Sequence, residues 1–112
     1  SKFDRYIKKI KSSDKYIFVS NYTNIKIFGD ELKLILTVEI YCPLIAVNNK
    51  YLCCCNDRRI KLYSLDDKKI VRESFSYDNI LALVICEQYI YIADENLKIY
   101  NFDGKLLKKM EI

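Results

Sequence analysis

One line of sequence is written three times in this chain. Lys15-Tyr-Ile-Phe-Val-Ser-Asn-Tyr-Thr-Asn-Ile-Lys-Ile-Phe28 is followed by Lys50-Tyr-Leu-Cys-Cys-Cys-Asn-Asp-Arg-Arg-Ile-Lys-Leu-Tyr63, and then by Gln88-Tyr-Ile-Tyr-Ile-Ala-Asp-Glu-Asn-Leu-Lys-Ile-Tyr100. Anchored on Tyr16, Tyr51 and Tyr89, the copies begin 35 and then 38 residues apart. Self-similarity at a period of this size marks a repeat architecture. Each copy is one supersecondary unit that buries its apolar face against its neighbours.

Within a unit the hydrophobic period is two. Ile25-Lys-Ile-Phe28, Ile60-Lys-Leu-Tyr63 and Leu97-Lys-Ile-Tyr100 alternate apolar residues around one lysine, as a strand with one buried face does. The segments before them, 16–19, 51–54 and 89–92, are apolar almost throughout, which suits strands covered on both faces. Short Asn- and Asp-bearing loops, 21–24, 56–59 and 94–96, join each pair as tight antiparallel connections. A further apolar run precedes each anchor (6–11, 44–47, 80–86), and another follows each lysine-centred strand (32–40, 69–75, 105–112). The chain therefore divides near 1–40, 41–76 and 77–112 into three four-stranded meanders. Residues 2–11 also fit a helical stripe through Phe3, Tyr6, Ile7 and Ile10, an alternative for the first run.

Half of the residues are hydrophobic (51%), enough to build a core, and the set is rich in the Ile, Val, Tyr and Phe that favour strands. The five cysteines, Cys42, Cys53, Cys54, Cys55 and Cys86, make a poor disulfide framework, since the count is odd and adjacent strand residues point to opposite faces. They make a poor zinc site too, without histidine or paired Cys-x-x-Cys knuckles. Reduced core cysteines are expected, in the cytoplasm or nucleus. No apolar run approaches a membrane span. The net charge of +4 describes a mixed surface that permits an acidic partner without requiring one.

The strings Ile60-Lys-Leu-Tyr-Ser-Leu-Asp-Asp-Lys-Lys-Ile-Val71 and Leu97-Lys-Ile-Tyr-Asn-Phe-Asp-Gly-Lys-Leu-Leu107 resemble the third strand, turn and fourth strand of WD-repeat β-propeller blades. Phe28, Tyr63 and Tyr100 stand at that family's tryptophan position, and Gly29, Ser64 and Asn101 at its aspartate position. The family's Gly-His dipeptide is absent, so its His–Asp network is not carried over as a unit. Asp57, Asp94 and either Asn21 or Asn24 fall near the place of that network's Asp. The resemblance implies an all-β fold of three four-stranded antiparallel WD-like propeller blades. Propellers usually close with four to eight blades, so a longer chain, a partner or a second copy is expected to complete the ring. The rival architecture is a β-trefoil, which also uses three repeats of four strands.

No catalytic constellation is legible. Without histidine there is no Ser-His-Asp or Cys-His arrangement, and two glycines cannot build a phosphate loop. The carboxylate pairs Asp30-Glu31, Asp66-Asp67 and Asp94-Glu95 read as solvated turn formers. No enzyme, cofactor or metal is expected. What remains is a scaffold that binds protein partners inside a larger assembly. The alternative is an RNA-binding or ribosome-associated module, because aromatics among lysines can stack bases. In WD-like blades the loops between second and third strands share a face with the connections between units, here 41–43 and 77–79. Those segments carry the candidate contact residues Tyr22, Asn24, Tyr41, Arg58, Arg59, Tyr77 and Glu95. Tyr and Arg are the residue types enriched at interface hot spots.

Overall fold

A computed structural model of the protein describes residues 6–75 and 79–112. Twelve strands run through them in chain order. The first sheet holds β1 (Lys9–Ser12), β2 (Ile17–Ser20), β3 (Ile25–Phe28) and β4 (Leu34–Val38). The second holds β5 (Leu44–Val47), β6 (Tyr51–Asn56), β7 (Arg59–Ser64) and β8 (Lys69–Phe75). The third holds β9 (Ala82–Ile85), β10 (Tyr89–Ala93), β11 (Leu97–Asn101) and β12 (Leu106–Met110). Each sheet is an antiparallel meander in sequence order. Strands are not shared between sheets, which removes the trefoil. The helical alternative near the N-terminus fails where it can be seen: residues 6–12 contain β1 and no helix, and residues 2–5 lie outside the described residues.

The chain forms two compact units, Ser1–Cys42 and Pro43–Ile112. Inside the second, sheets two and three pack face to face, with β5 beside β9. Ala46, Cys53, Cys55 and Leu62 of sheet two meet Leu83, Ile85, Ile90 and Ile92 of sheet three in one buried cluster. Alternation explains the pairing: odd-numbered residues of β6 point at sheet three, even-numbered residues of β10 point back. In β6 the other face, Leu52 and Cys54, is buried as well, as its unbroken apolar run requires. Strands β2 and β10 bury only alternate residues, so the expectation of two covered faces holds for the middle repeat alone.

The repeats share two devices that their spacing does not announce. In every sheet the register slips at one place, between Ile27 and Phe28, Leu62 and Tyr63, and Ile99 and Tyr100. The fourth strand carries an extra residue there (Ile35, Val71, Leu107), a β-bulge that twists the outer edge next to the terminal aromatic. The first turn of each sheet closes with one backbone bond, from Ser13 N–H to Tyr16 C=O, Asn48 to Tyr51, and Cys86 to Tyr89. Ser13 Oγ and Asn48 Oδ1 accept the anchor tyrosine's N–H in the first two.

The turns before the fourth strand differ. Ser64 Oγ and Asn101 Oδ1, at the aspartate position of the resemblance, accept turn amides from Asp67 and from Asp103 and Lys105. Gly29 has no side chain to do so. Its turn is instead a short 3-10 segment, Asp30–Leu32, with Glu31 and Leu32 at positive φ (57 for both). Gly104 is also at positive φ (85), where its lack of a Cβ is needed.

Candidate interaction surface

The three loops between second and third strands are built differently from residues at one repeat position. Asn21, five residues after its anchor, folds its Oδ1 back to accept the N–H groups of Thr23 and Asn24 at 2.8 and 2.9 Å and the Thr23 hydroxyl at 2.9 Å. It is an Asx turn, the local bond this residue type favours. Asn24 is half-buried beneath it, and its C=O accepts the Asn21 N–H. In the second sheet Asn56 and Arg59 pair as strand residues, so the loop shrinks to Asp57-Arg58, with Asp57 at positive φ (60). In the third, Asp94 Oδ1 accepts the Asn96 N–H at 2.8 Å while its Oδ2 meets Lys98 Nζ at 2.7 Å.

Asp94 corrects the reading of the acidic pairs as solvated turns. Asp30, Glu31, Asp66, Asp67 and Glu95 are exposed as expected, but the Asp94 carboxylate is 0% exposed. The hydrogen bond from Lys98, helped by the Asn96 amide and outweighing burial, holds its carboxyl below the usual range. The lysine centred in each third strand has a use here that alternation alone could not reveal. Lys61, its counterpart in sheet two, reaches Glu73 on β8 at 3.8 Å.

Two of the candidate contact residues are brought together. Tyr22, from the loop of the first sheet, and Tyr41, from the connection that follows β4, have ring centroids 5.1 Å apart, and Lys8 Nζ lies 4.4 Å from the Tyr22 centroid. In the second unit Arg58 Nε donates to Asn79 Oδ1 at 3.4 Å, joining a loop to a connection again. Both meetings place loop and connection at the same end of a sheet. Tyr22, Tyr41, Arg58, Arg59 and Glu95 are exposed. Tyr77 lies outside the described residues.

None of the five cysteines, all among the described residues, is disulfide-bonded, and Cys42, Cys53, Cys54 and Cys55 are buried. Cys86 departs from the core expectation and is exposed. It occupies the turn position held by Ser13 and Asn48, where hydrogen bonding outvotes packing. The Gln88 amide, only partly opposed by desolvation and aided by the Tyr89 amide, lowers its thiol from the usual value.

A cleft of about 410 Å³ lies between sheets two and three, floored by Ile60, Leu62, Ile90 and Ile92. Its charged groups are engaged: Asp94 with Lys98, Arg72 with Asp103 at 3.7 Å and with the Phe102 C=O at 3.1 Å, and Glu73 with Lys61 at 3.8 Å. Among the described residues no cluster of three metal-ligating side chains occurs, and no helix is long and apolar enough to cross a membrane.

The sequence matches no family model and no curated protein. Solved structures do match. BamB from Moraxella catarrhalis superposes with a TM-score of 0.76 at 13% identity, over 93% of this chain and 34% of its own. Kluyveromyces lactis Hsv2p gives 0.73 at 13% identity, over 94% and 37%. The WD40 domain of Neurospora crassa Pan2 gives 0.70 at 10% identity, over 94% and 36%. The chain thus spans little more than a third of the structures it matches. Identities this low speak to backbone alone, and on the backbone the sheets, their order and the neighbours agree. The chain has the fold of three WD-like β-propeller blades, each one four-stranded antiparallel sheet.

Proposed function

We propose that this chain is a non-catalytic propeller scaffold, mediating protein–protein interaction within an assembly in the cytoplasm or nucleus. Its contact surface is the loop end of the blades, through Tyr22, Asn24, Tyr41, Arg58, Arg59, Tyr77 and Glu95. The observation that carries this reading is the Tyr22–Tyr41 pair, two exposed aromatic rings held against each other with Lys8 over one of them. Pre-ordered aromatics lose little side-chain entropy on binding and offer large contact area. Arg58 and Arg59 add charged donors suited to a partner's carboxylates.

The same pair argues for protein over RNA. With Lys8 above Tyr22 and Tyr41 beside it, the ring is not an open platform on which a base can stack. Replacing Tyr22, Arg58 and Arg59 together by Ala should weaken a stoichiometric partner by a few kcal/mol, while the thermal midpoint stays within a few degrees. The test is affinity capture from lysate with and without nuclease, using wild type and the triple variant. A partner retained after nuclease and lost with the variant supports the proposal. Recovery that disappears wholly on nuclease treatment would replace it with RNA binding.

A further inference from the structure

The cleft between sheets two and three lies between two four-stranded blades of one compact unit, and one side chain crosses it. Arg72 belongs to β8, yet its Nε donates to the Phe102 C=O, in the turn between β11 and β12, at 3.1 Å. Its Cδ passes over Gly104, where a Cβ would stand only 3.5 Å away. One bond and one close approach therefore hold the guanidinium at the mouth of the cleft. Its Nη groups have no hydrogen-bond acceptor among the described residues. Asp103, the acid they pair with, is 3.7 Å away, beyond hydrogen-bond length, and 88% exposed to solvent. The other charges of the cleft are taken: Lys98 is bonded to the Asp94 carboxylate at 2.7 Å, and Glu73 faces Lys61 at 3.8 Å.

A planar guanidinium anchored through Nε, with open donors beside it, fits a carboxylate through charge-assisted bonds. Beneath it lie Ile60 and Leu62 of β7 and Ile90 and Ile92 of β10, an apolar floor. Arg72 and Leu62 are direct cross-strand partners, and Ser74 stands opposite Ile60. Side chains so opposed start about 5 Å apart. The carboxylate and the apolar group that this cleft takes must therefore lie within one residue of each other. An internal Asp or Glu in an extended segment has its apolar neighbours on the opposite face. A C-terminal residue carries both groups on one Cα.

From this juxtaposition we infer that the cleft binds the C-terminal residue of a partner protein, one ending in a large aliphatic or aromatic side chain. The side chain enters between the sheets, and the α-carboxylate takes the place of the distant Asp103 on Arg72. A volume of about 410 Å³ accommodates one such side chain with its flanking backbone. That the ligand is a protein terminus rests on the scaffold reading, but the site uses none of the loop-end contact residues.

The test is titration of the ¹⁵N-labelled chain with the pentapeptide Ser-Gly-Ser-Gly-Leu, followed by amide chemical shifts. Shifts should concentrate at Ile60, Leu62, Arg72 and residues 102–104, with a dissociation constant of about 1 mM, the range for so small a ligand. Amidating the peptide, or ending it in glycine, should each weaken binding roughly tenfold or more. Arg72→Gln should remove the advantage of the free carboxylate over the amide. Ser74→Trp, at an exposed position lining the cleft, should block entry with the spectrum otherwise preserved, which keeps the test decisive even where Arg72→Gln fails to fold. The triple loop variant Tyr22→Ala, Arg58→Ala, Arg59→Ala should bind the peptide like wild type, so failure of the loop-end reading and failure of this site are read separately. No shifts by about 5 mM peptide overturn the proposal. So does equal binding of the amidated peptide, or of an amidated peptide with an internal Leu-Glu pair.

Discussion

Asp94→Asn isolates the buried ion pair that Asp94 forms with Lys98 in the third blade. The native carboxylate has two partners, the Asn96 N–H at 2.8 Å and Lys98 Nζ at 2.7 Å. An asparagine keeps the first: Asn21, at the same repeat position, makes the equivalent turn with a neutral amide. What is lost is the charge-assisted bond, worth about 1.5–3 kcal/mol. Lys98 is 17% exposed and can turn part of its ammonium to water, so the lower half of that range applies, about 2 kcal/mol. For a domain of this size that is a fall of roughly 8 °C in Tm. Asp94→Ala also removes the turn acceptor and should cost about 1 kcal/mol more. Lys98→Met strands the buried carboxylate and should cost about 3 kcal/mol, so a double-mutant cycle with Asp94→Asn should give a coupling of about 1–3 kcal/mol. The pH dependence follows from direction. Because folding lowers the Asp94 pKa, its stabilisation is complete above the unfolded carboxyl's value of about 4 and disappears as pH falls through the lower folded value. Urea unfolding of wild type and Asp94→Asn should therefore differ by a constant amount from pH 7 to about 5 and converge in acid. A difference under about 0.5 kcal/mol at pH 7, within surface-substitution noise, or one that does not shrink as pH falls below about 4, would refute the argument.

Three further substitutions bear on the turns. Gly104→Ala places a Cβ at φ 85, 3.5 Å from Arg72 Cδ; chemical denaturation should show a loss of about 1–2 kcal/mol, mostly from the backbone because the arginine can move. Gly29→Ala, in ordinary φ but 3.4 Å from Ile35 Cγ2, should cost less than Gly104→Ala in the same assay. Cys86 should react with iodoacetamide in the folded protein well before Cys42, Cys53, Cys54 and Cys55, as peptide mass spectrometry would show, and Cys86→Ser should preserve stability because Ser13 closes the same turn. Labelling that begins at the buried four would contradict the core placement.

Much of this fold was readable because β-structure writes itself in local alternation. Tyr16, Tyr51 and Tyr89 mark the second strand of each blade, and the lysine-centred strands fall where period and turn residues place them, while the middle loop is shorter than its 56–59 span because Asn56 and Arg59 pair. What escaped reading depends on what lies across from a residue. The tyrosine, isoleucine and alanine of β10 do not reveal that one of its faces is only half-buried, because burial depends on what packs against the sheet. Asp94 resembles any other turn aspartate until Lys98, four residues on and across the hairpin, closes over it. Cys86 resembles the core cysteines because it ends an apolar run. Only the alignment of Ser13, Asn48 and Cys86 exposes its turn position, and that signal was present in the repeats.

The repeats preserve geometry more faithfully than chemistry. One backbone bond closes the first turn of all three blades, yet the residues that donate it are serine, asparagine and cysteine. One bulge precedes the terminal aromatic in all three, yet the extra residue is isoleucine, valine or leucine. The loop position five residues past the anchor is Asn21, Asn56 or Asp94, and it works as an Asx turn, a strand residue or half of an ion pair. A backbone bond tolerates any side chain whose own hydrogen bonding does not compete with it, whereas a side-chain network must change all its members together. The Gly-His dipeptide and its Asp belong to the second kind, and a chain without histidine cannot hold that network. Its blades rest instead on ladders, bulges and turns, which each copy can support with different residues.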